Sequence, residues 1–256
     1  MAQTKIAIVT GASSGIGKEF VKRLDARGDL DEIWVIARRA DRLAELASIS
    51  STKIVPISLD LSDKRADAEI SYLLSDKNPD VRVLVNAAGY GKFGTVGNLP
   101  LEEQMGMIDL NQGALVRVTY QVLPYMSAGS QIYQIGSLSA FQPVPYMSVY
   151  AATKAFVLSF SRALGKELEK NKIRVLAVCP GWVRTEFFDR AVVEDGVIVY
   201  FNKFFTPEQI VDRAFRDMKR GKDVSVCGFS IRAQVLLTKI LPHKLVMKIW
   251  CTQQKK

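Results

Sequence analysis

Short, uninterrupted apolar runs alternate with amphipathic stretches along this chain, and that alternation leaves few folds open to it. Lys5 to Val9, Glu32 to Ala37, Lys53 to Ile57, Val81 to Asn86, Gln131 to Ile135 and Ile173 to Val178 each read as a strand. Many are continuous and β-branched, the pattern of strands buried on both faces. Between them, Ile16 to Arg27, Asp41 to Ala47, Lys64 to Leu74, about Leu101 to Leu123 and about Val149 to Lys170 read as helices. Thr206-Pro207-Glu208-Gln209 joins an N-cap Thr, a Pro at the first helical position and a Gln that returns to the cap. Another helix is therefore expected over Pro207 to Lys219, with Val224 to Cys227 as the last strand. Strands alternating with helices pair in parallel, and right-handed crossovers cover both faces. The expected fold class is α/β: a doubly wound parallel sheet of Rossmann type. No repeat, low-complexity segment or linker divides the 256 residues, so one domain over 1–256 is expected.

The first strand runs straight into Thr10-Gly11-Ala12-Ser13-Ser14-Gly15-Ile16-Gly17. Gly11 permits a tight turn, Gly15 lets backbone approach a pyrophosphate, and Gly17 lets the helix pack closely on the strand. The helix start then offers free N–H groups and partial positive charge to phosphates. Many loops need such glycines for other reasons, but this place between first strand and first helix favours a dinucleotide.

The spacing Gly-x-x-x-Gly-x-Gly, preceded by Thr, resembles the short-chain dehydrogenase/reductase family, whose members carry TGxxxGxG here. Asn86-Ala87-Ala88-Gly89, at the end of the fourth strand, matches that family's NAG-type motif. Asp60-Leu61 follows the third strand, where the family sets an Asp and the next backbone group against adenine. Pro180-Gly181-Trp182-Val183-Arg184-Thr185 continues the likeness, with Val183 and Thr185 at positions that contact the nicotinamide carboxamide in the family. The resemblance covers at least Lys5 to Phe187.

Cofactor choice is read at the end of the second strand. An acid there accepts hydrogen bonds from the ribose 2′-hydroxyl of NAD and repels a 2′-phosphate. This chain reads Ile36-Ala37-Arg38-Arg39, with Ala in the acid's place. A guanidinium holds a phosphate through paired hydrogen bonds and stacks on adenine. NADP(H) is the expected cofactor; the plainer alternative is that Arg38 and Arg39 open a solvated helix.

Tyr150 and Lys154 stand four apart on a helix, on one face. A free tyrosine, with a pKa of about 10, is a poor base at neutral pH. A nearby ammonium favours the phenolate, so Tyr150 could exchange a proton with the substrate oxygen. Ser137 ends the fifth expected strand, at the crevice edge, where its hydroxyl can donate to that oxygen as charge develops. The resemblance implies a fourth catalytic residue in Asn111, which holds a water relaying protons through the lysine. It also implies that Lys154 bonds the nicotinamide ribose. Each residue alone suits an ordinary capping or surface role; their family order and spacing favour the catalytic reading.

Other chemistries find little support. His243 is the single histidine, late in the chain, and forms no Ser-His-Asp arrangement; with Cys179, Cys227 and Cys251 scattered, no catalytic metal is expected. The unpaired cysteines and the lack of a signal-peptide pattern point to a reducing cytoplasm. No stretch is long and apolar enough to span a bilayer.

The net charge of +9 is uneven. From Val224 onward stand Arg232, Lys239, Lys244, Lys248, Lys255 and Lys256, with no acidic residue. No nucleic-acid module accompanies them, so nucleic acid is not an expected partner. Ile231, Val235, Leu236, Ile240, Leu241, Leu245, Val246, Ile249 and Trp250 lie among the cations in a C-terminal extension of about 229–256, which Pro242 should split into two short helices. That extension could dock on the body, cover the crevice, form a subunit contact or touch an anionic membrane.

The family's substrate loop should span about 186–206. It holds Phe187, Phe188, Tyr200, Phe201, Phe204 and Phe205, while Tyr90, Phe93, Phe141 and Tyr146 come from other loops. Ser137, Tyr146, Phe187 and Phe188 are the candidate substrate contacts. Such a lining suits a flat or elongated apolar molecule, steroid-like or bile-acid-like; the alternative is that most of these rings anchor loop and core. A 3-oxoacyl reductase acting on a carrier-bound chain, and a non-catalytic NADP(H) sensor, are the rival functions. A sensor need not keep Asn111, Ser137, Tyr150 and Lys154 together. The resemblance also implies a homo-oligomer, dimer or tetramer.

Overall fold

The structure, a computed structural model, describes residues 3–191 and 197–254. Residues 192–196 of the expected substrate loop, and Lys255 and Lys256 of the basic tail, lie outside the described residues. The first half alternates without exception: β1 (Lys5–Thr10), α1 (Gly15–Asp25), β2 (Glu32–Ala37), α2 (Ala40–Ile49), β3 (Lys53–Ser58), α3 (Arg65–Lys77) and β4 (Asp80–Asn86). Then come α4 (Leu101–Ile108), a π-helical segment (Asp109–Ala114), α5 (Leu115–Val122), β5 (Gln131–Ile135), α6 (Ser148–Glu167) and β6 (Arg174–Val178). The last part holds β7 (Trp182–Val183), α7 (Phe187–Ala191), β8 (Phe204–Phe205), α8 (Pro207–Lys219), β9 (Val224–Ser225), α9 (Phe229–Ile240) and α10 (His243–Gln253).

Seven strands form one parallel sheet in the order β3-β2-β1-β4-β5-β6-β9. Side chains of β1 alternate between its two faces. Ala7 and Val9 join Phe20, Leu24, Leu43 and Val211 in one core, while Ile6 and Ile8 join Ile70, Leu74, Val118 and Leu164 in the other. A strand in this position must be apolar at every residue, which is why its run is unbroken. Each such Ile or Val contributes about 1.5–3 kcal/mol by leaving water. α1 buries Gly17, Phe20, Val21 and Leu24, the i, i+3, i+4, i+7 stripe of a helix lying on a sheet.

Two expected elements differ in form. The stretch from Leu101 to Leu123 is interrupted by the π-helical segment around Asn111 and closes in a 3₁₀ turn at Leu123–Tyr125, where Pro124 cannot continue an α-helix. The last strand pairs only at Val224 and Ser225, because the chain turns at Gly228 (φ +89°) into α9. Buried Asp217 ties that strand to α8: it accepts hydrogen bonds from Arg213 at 2.7 Å and the Ser225 hydroxyl at 2.9 Å, and pairs with Lys222 at 2.9 Å. The expected capping box is present, with Thr206 Oγ1 accepting from Gln209 N–H and Gln209 Oε1 accepting from Thr206 N–H. Pro242 separates α9 from α10.

Strand order reverses between β1 and β4, so the connections leaving their carboxyl ends run to opposite sides of the sheet. A crevice opens at that point.

Candidate active site

Thr10 ends β1 and joins it to β4, its hydroxyl accepting hydrogen bonds from Ala87 N–H and Ala88 N–H, both at 3.1 Å. Gly11 follows at φ +66°, and a Cβ there would lie 2.7 Å from the Ala87 carbonyl group. Gly17 is held as tightly, since its Cβ would stand 2.3 Å from the Gly11 oxygen. Both glycines therefore serve the close packing of turn, helix and strand. Gly15 adopts φ +54° with Thr185 3.0 Å from where its side chain would start. No side chain caps the α1 N-terminus and no acid stands in its first turn, so its N–H groups face the crevice ready for an anion.

The crevice has a volume of about 580 Å³. Its cofactor half is lined by the glycine turn from Gly11 through Ser13, Ser14, Gly15, Ile16 and Gly17, facing Ala87, Ala88 and Gly89. Arg38, Arg39, Asp60 and Leu61 close its far end, and Pro180, Gly181, Val183 and Thr185 lie opposite. Arg39 donates to Ser13 Oγ from Nε (3.3 Å) and Nη2 (3.1 Å), and pairs through Nη1 with Glu186 (2.6 Å). That guanidinium holds the Glu186 carboxyl below the usual carboxylate range. Arg38 stands 3.7 Å from Asp60. Burial works against ionisation of Asp60, but hydrogen bonds from Ser62 and the charge of Arg38 keep its pKa low. One guanidinium on the Ser13 hydroxyl and a second beside Asp60, lining a crevice with a bare helix start, fit a phosphate-bearing dinucleotide.

Asn86 departs from the expected cofactor set. Its side chain turns into the sheet, donating to Thr119 Oγ1 (3.0 Å) and Gln134 Oε1 (2.9 Å), and does not line the crevice. It is the last residue of β4, and strand alternation aims it between α5 and β5.

Ser137, Tyr150 and Lys154 meet at the centre of the crevice. Ser137 caps the 3₁₀ turn after β5, and its Oγ accepts from Ser139 N–H at 3.2 Å. Tyr150 and Lys154 share the buried face of α6. Lys154 Nζ donates to the Ile135 carbonyl at 2.8 Å and sits 5.8 Å from the Tyr150 ring centre. The expected lowering of the Tyr150 pKa by that ammonium is not found. Burial dominates and pushes Tyr150 up to about 12, opposed by the neighbouring Ser137 hydroxyl. Burial also lowers Lys154 to about 8. In the free protein, then, the phenol is protonated at neutral pH. Asn111 lies behind this trio in the π-helical segment, a form that often marks functional sites. Its amide donates to Tyr90 O (2.9 Å) and Thr153 Oγ1 (3.0 Å) and accepts from Tyr90 N–H (3.0 Å), fixing the strand end after Gly89.

The other half of the crevice is aromatic. Phe187 and Phe188 line it as expected, with Phe187 packed on Tyr150 at 5.7 Å between ring centres. Tyr146 does not: it stands at φ +68° and packs behind the wall, while Val144 and Met147 on either side face inward. Phe201 and Phe204 support Phe188 from behind, Phe205 and Phe141 join the sheet core, and Tyr200 is exposed. Trp182, Trp250 and Arg190, not expected as lining, complete the wall. Arg190 covers the Tyr90 ring at 3.6 Å. Trp250 arrives from α10, its indole donating to Pro145 O at 3.0 Å; only its place in an amphipathic tail hinted at this. Ser139, buried beside Ser137 with an unpartnered hydroxyl, is a further polar group that the residue pattern did not single out. Cys179 is buried and pushed up to about 12 by that burial, so it is a packing residue rather than a nucleophile. Among the described residues, no His, Cys, Asp and Glu side chains group to hold a metal ion.

The chain is similar to known proteins in both sequence and fold. A solved structure of a short-chain dehydrogenase from Sphingobium yanoikuyae, in complex with NADPH, superposes with a TM-score of 0.78 at 30% identity, covering 95% of each chain. An uncharacterized oxidoreductase of Staphylococcus epidermidis is 32% identical over 230 residues, 89% of this chain and 96% of its own. An NADP-dependent 3-hydroxy acid dehydrogenase of Schizosaccharomyces pombe is 33% identical over 191 residues, 72% of this chain and 73% of its own. Residues 5–195 match the family model described as short chain dehydrogenase, and the chain is an oxidoreductase belonging to that family.

Proposed function

We propose that this protein interconverts a ketone and a secondary alcohol on a lipophilic molecule, steroid-like or bile-acid-like in shape. Its cofactor is NADP(H), in keeping with the relatives' names, the NADPH-bound neighbour and the Arg38–Arg39 pair after Ala37. One observation carries the reading. Ser137, Tyr150 and Lys154 stand at the middle of a crevice whose open half is walled by Trp182, Phe187, Phe188 and Trp250.

When bound, NADP(H) supplies or takes up the hydride. The glycine turn and the α1 N-terminus would hold its pyrophosphate, Arg38 and Arg39 its 2′-phosphate, and Asp60 with Leu61 its adenine. Val183 and Thr185 would meet the carboxamide. In reduction, Tyr150 gives its phenolic proton to the carbonyl oxygen as that oxygen gains charge. Ser137 accepts from Ser139, which leaves its own O–H to donate to the same oxygen. Lys154 would bond the nicotinamide ribose and pass a proton to Tyr150, itself resupplied from solvent through a water held by Asn111, whose amide also fixes the Tyr90 backbone. The protonated state of Tyr150 at neutral pH suits reduction. The reading places the protein in the cytoplasm as a homo-oligomer, dimer or tetramer.

NADPH oxidation across ketosteroids, oxo-bile acids, 3-oxoacyl thioesters and small aldehydes, with NADH in parallel, tests this. Turnover of a ketosteroid or oxo-bile acid that falls roughly 10²–10⁴-fold in Tyr150→Phe is the expected result. Efficient turnover of small sugars alone would remove the lipophilic substrate, and 3-oxoacyl thioesters alone would favour the carrier reductase. Tight NADPH binding with no turnover of any carbonyl would make the protein a sensor.

A further inference from the structure

The two C-terminal helices each present one side to the body and leave the other uncovered. α9 buries Ile231, Val235 and Thr238, spaced i, i+4, i+7, and α10 buries Val246 and carries Trp250 into the crevice wall. On the outer side of α9, Phe229 is 82% exposed, Leu236 60% and Ile240 71%. Their spacing, i, i+7, i+11, makes a single stripe along the helix. Leu245 and Ile249, four apart, form a second exposed apolar pair on α10. Exposed cations interleave with these side chains: Arg232 and Lys239 on α9, Lys244 and Lys248 on α10. Among the described residues no ion pair engages any of the four. No acidic residue occurs from Val224 onward.

We infer that the outer side of α9 and α10 is a docking surface for an anionic membrane. Large apolar side chains at helical spacing, bordered by Lys and Arg, gain by entering the headgroup boundary while the cations meet anionic lipid. No helix of the described residues is long and apolar enough to cross a membrane, so the contact is peripheral. A second copy fits less well, because a two-fold pairing of this side would set the same unneutralised cations against each other. Nucleic acid would use the charge and leave Phe229, Leu236 and Ile240 in water.

The surface is tied mechanically to the crevice. Trp250 donates to Pro145 O, and the Gln254 carboxamide oxygen accepts from Val199 N–H and Tyr200 N–H at 3.0 Å each. Docking therefore brings one wall of the crevice and the adjoining loop to the bilayer. Resting on the lipophilic-substrate reading, this gives an apolar ketone a route from lipid to Tyr150 that avoids open water.

Cosedimentation of the full chain with vesicles of phosphatidylcholine mixed with phosphatidylglycerol, against phosphatidylcholine alone, tests the surface. Binding to the mixed vesicles at low salt, lost at high salt, is expected. Lys239→Gln/Lys244→Gln/Lys248→Gln should weaken it on the order of a hundredfold, from about fivefold per cation. Leu236→Glu/Ile240→Glu should abolish it, with NADPH affinity unchanged as the check on folding. No binding to the mixed vesicles, or binding that Leu236→Glu/Ile240→Glu leaves intact, overturns the inference. So does dissociation of an oligomer in that variant, which would make this side an interface between copies. Vesicle binding without turnover of any lipophilic ketone supports the surface and removes the lipophilic substrate instead.

Discussion

Arg39 is shared between Ser13 and Glu186: three of its nitrogens reach the serine hydroxyl and, at 2.6 Å, the carboxylate. Glu186 thus sits as counter-ion on the guanidinium assigned to the 2′-phosphate. A phosphate arriving there must displace that carboxylate or share the cation with it. Glu186→Gln should therefore tighten NADPH binding roughly two- to fivefold, the range of a half-exposed ion pair, and leave NADH binding unchanged. Fluorescence titration with both cofactors reads the ratio. A ratio that does not move would detach Glu186 from cofactor choice.

Arg38 tests the same assignment from the other side. It stands half-exposed beside Asp60 at the adenine end, without the second carboxylate that occupies Arg39. Arg38→Asp removes one of the two guanidiniums assigned to the 2′-phosphate and puts a repelling negative charge in its place. NADPH affinity should fall far more than NADH affinity. Equal loss for both would show that the phosphate lies elsewhere.

The tail offers a third prediction. Gln254 is buried and holds the Val199 and Tyr200 backbones, so Gln254→Ala leaves two N–H groups short of a partner. A stability loss of about 1–3 kcal/mol is expected, read as a lower urea midpoint. Trp250→Ala removes an aromatic wall without touching the cofactor half. It should raise KM for a lipophilic ketone roughly three- to tenfold, the scale of one aromatic contact, with NADPH affinity intact. If both parameters moved together, the tail would be supporting the whole fold rather than the substrate end.

These cases also show what a one-dimensional reading can reach. Strand and helix positions follow from burial on two faces, a local property, and so β2, β5 and α8 begin and end where their residue patterns say. The glycine turn was legible because its conformations and close approaches tolerate no side chain. Orientation at element ends was not. Asn86 and Tyr146 lie in motifs next to the crevice, yet one turns into the sheet and the other behind the wall. A residue's place on the chain tells which end of the sheet it occupies but not which way its side chain points. Trp250 meets Pro145 across 105 positions, a tertiary contact with no local signature. The Tyr150–Lys154 spacing put both on one helix face, but spacing carries no measure of desolvation, and desolvation decides both protonation states.

Those protonation states make the last prediction, on stability against pH in the cofactor-free protein. Lys154, ordinarily near 10.5, is lowered to about 8 by burial. Between those values the unfolded chain binds a proton that the folded chain has released, so stability rises with pH through that window. Cys179 runs the other way: raised from 9.0 to about 12, it keeps a proton that the unfolded chain loses above about pH 9. Tyr150, raised from 10.0 to about 12, adds to that loss above about pH 10. Lys154 consequently acts with little opposition only from about pH 8 to 9. The urea midpoint should climb there, by an amount equivalent to about 1 kcal/mol, and level off or decline at higher pH. Lys154→Met lacks the proton in both states, so its profile should be flat between pH 8 and 9 and its midpoint at pH 7 higher than that of the native chain. A native profile already flat from pH 8 to 9 would mean that the hydrogen bond to the Ile135 carbonyl keeps the ammonium charged despite its burial.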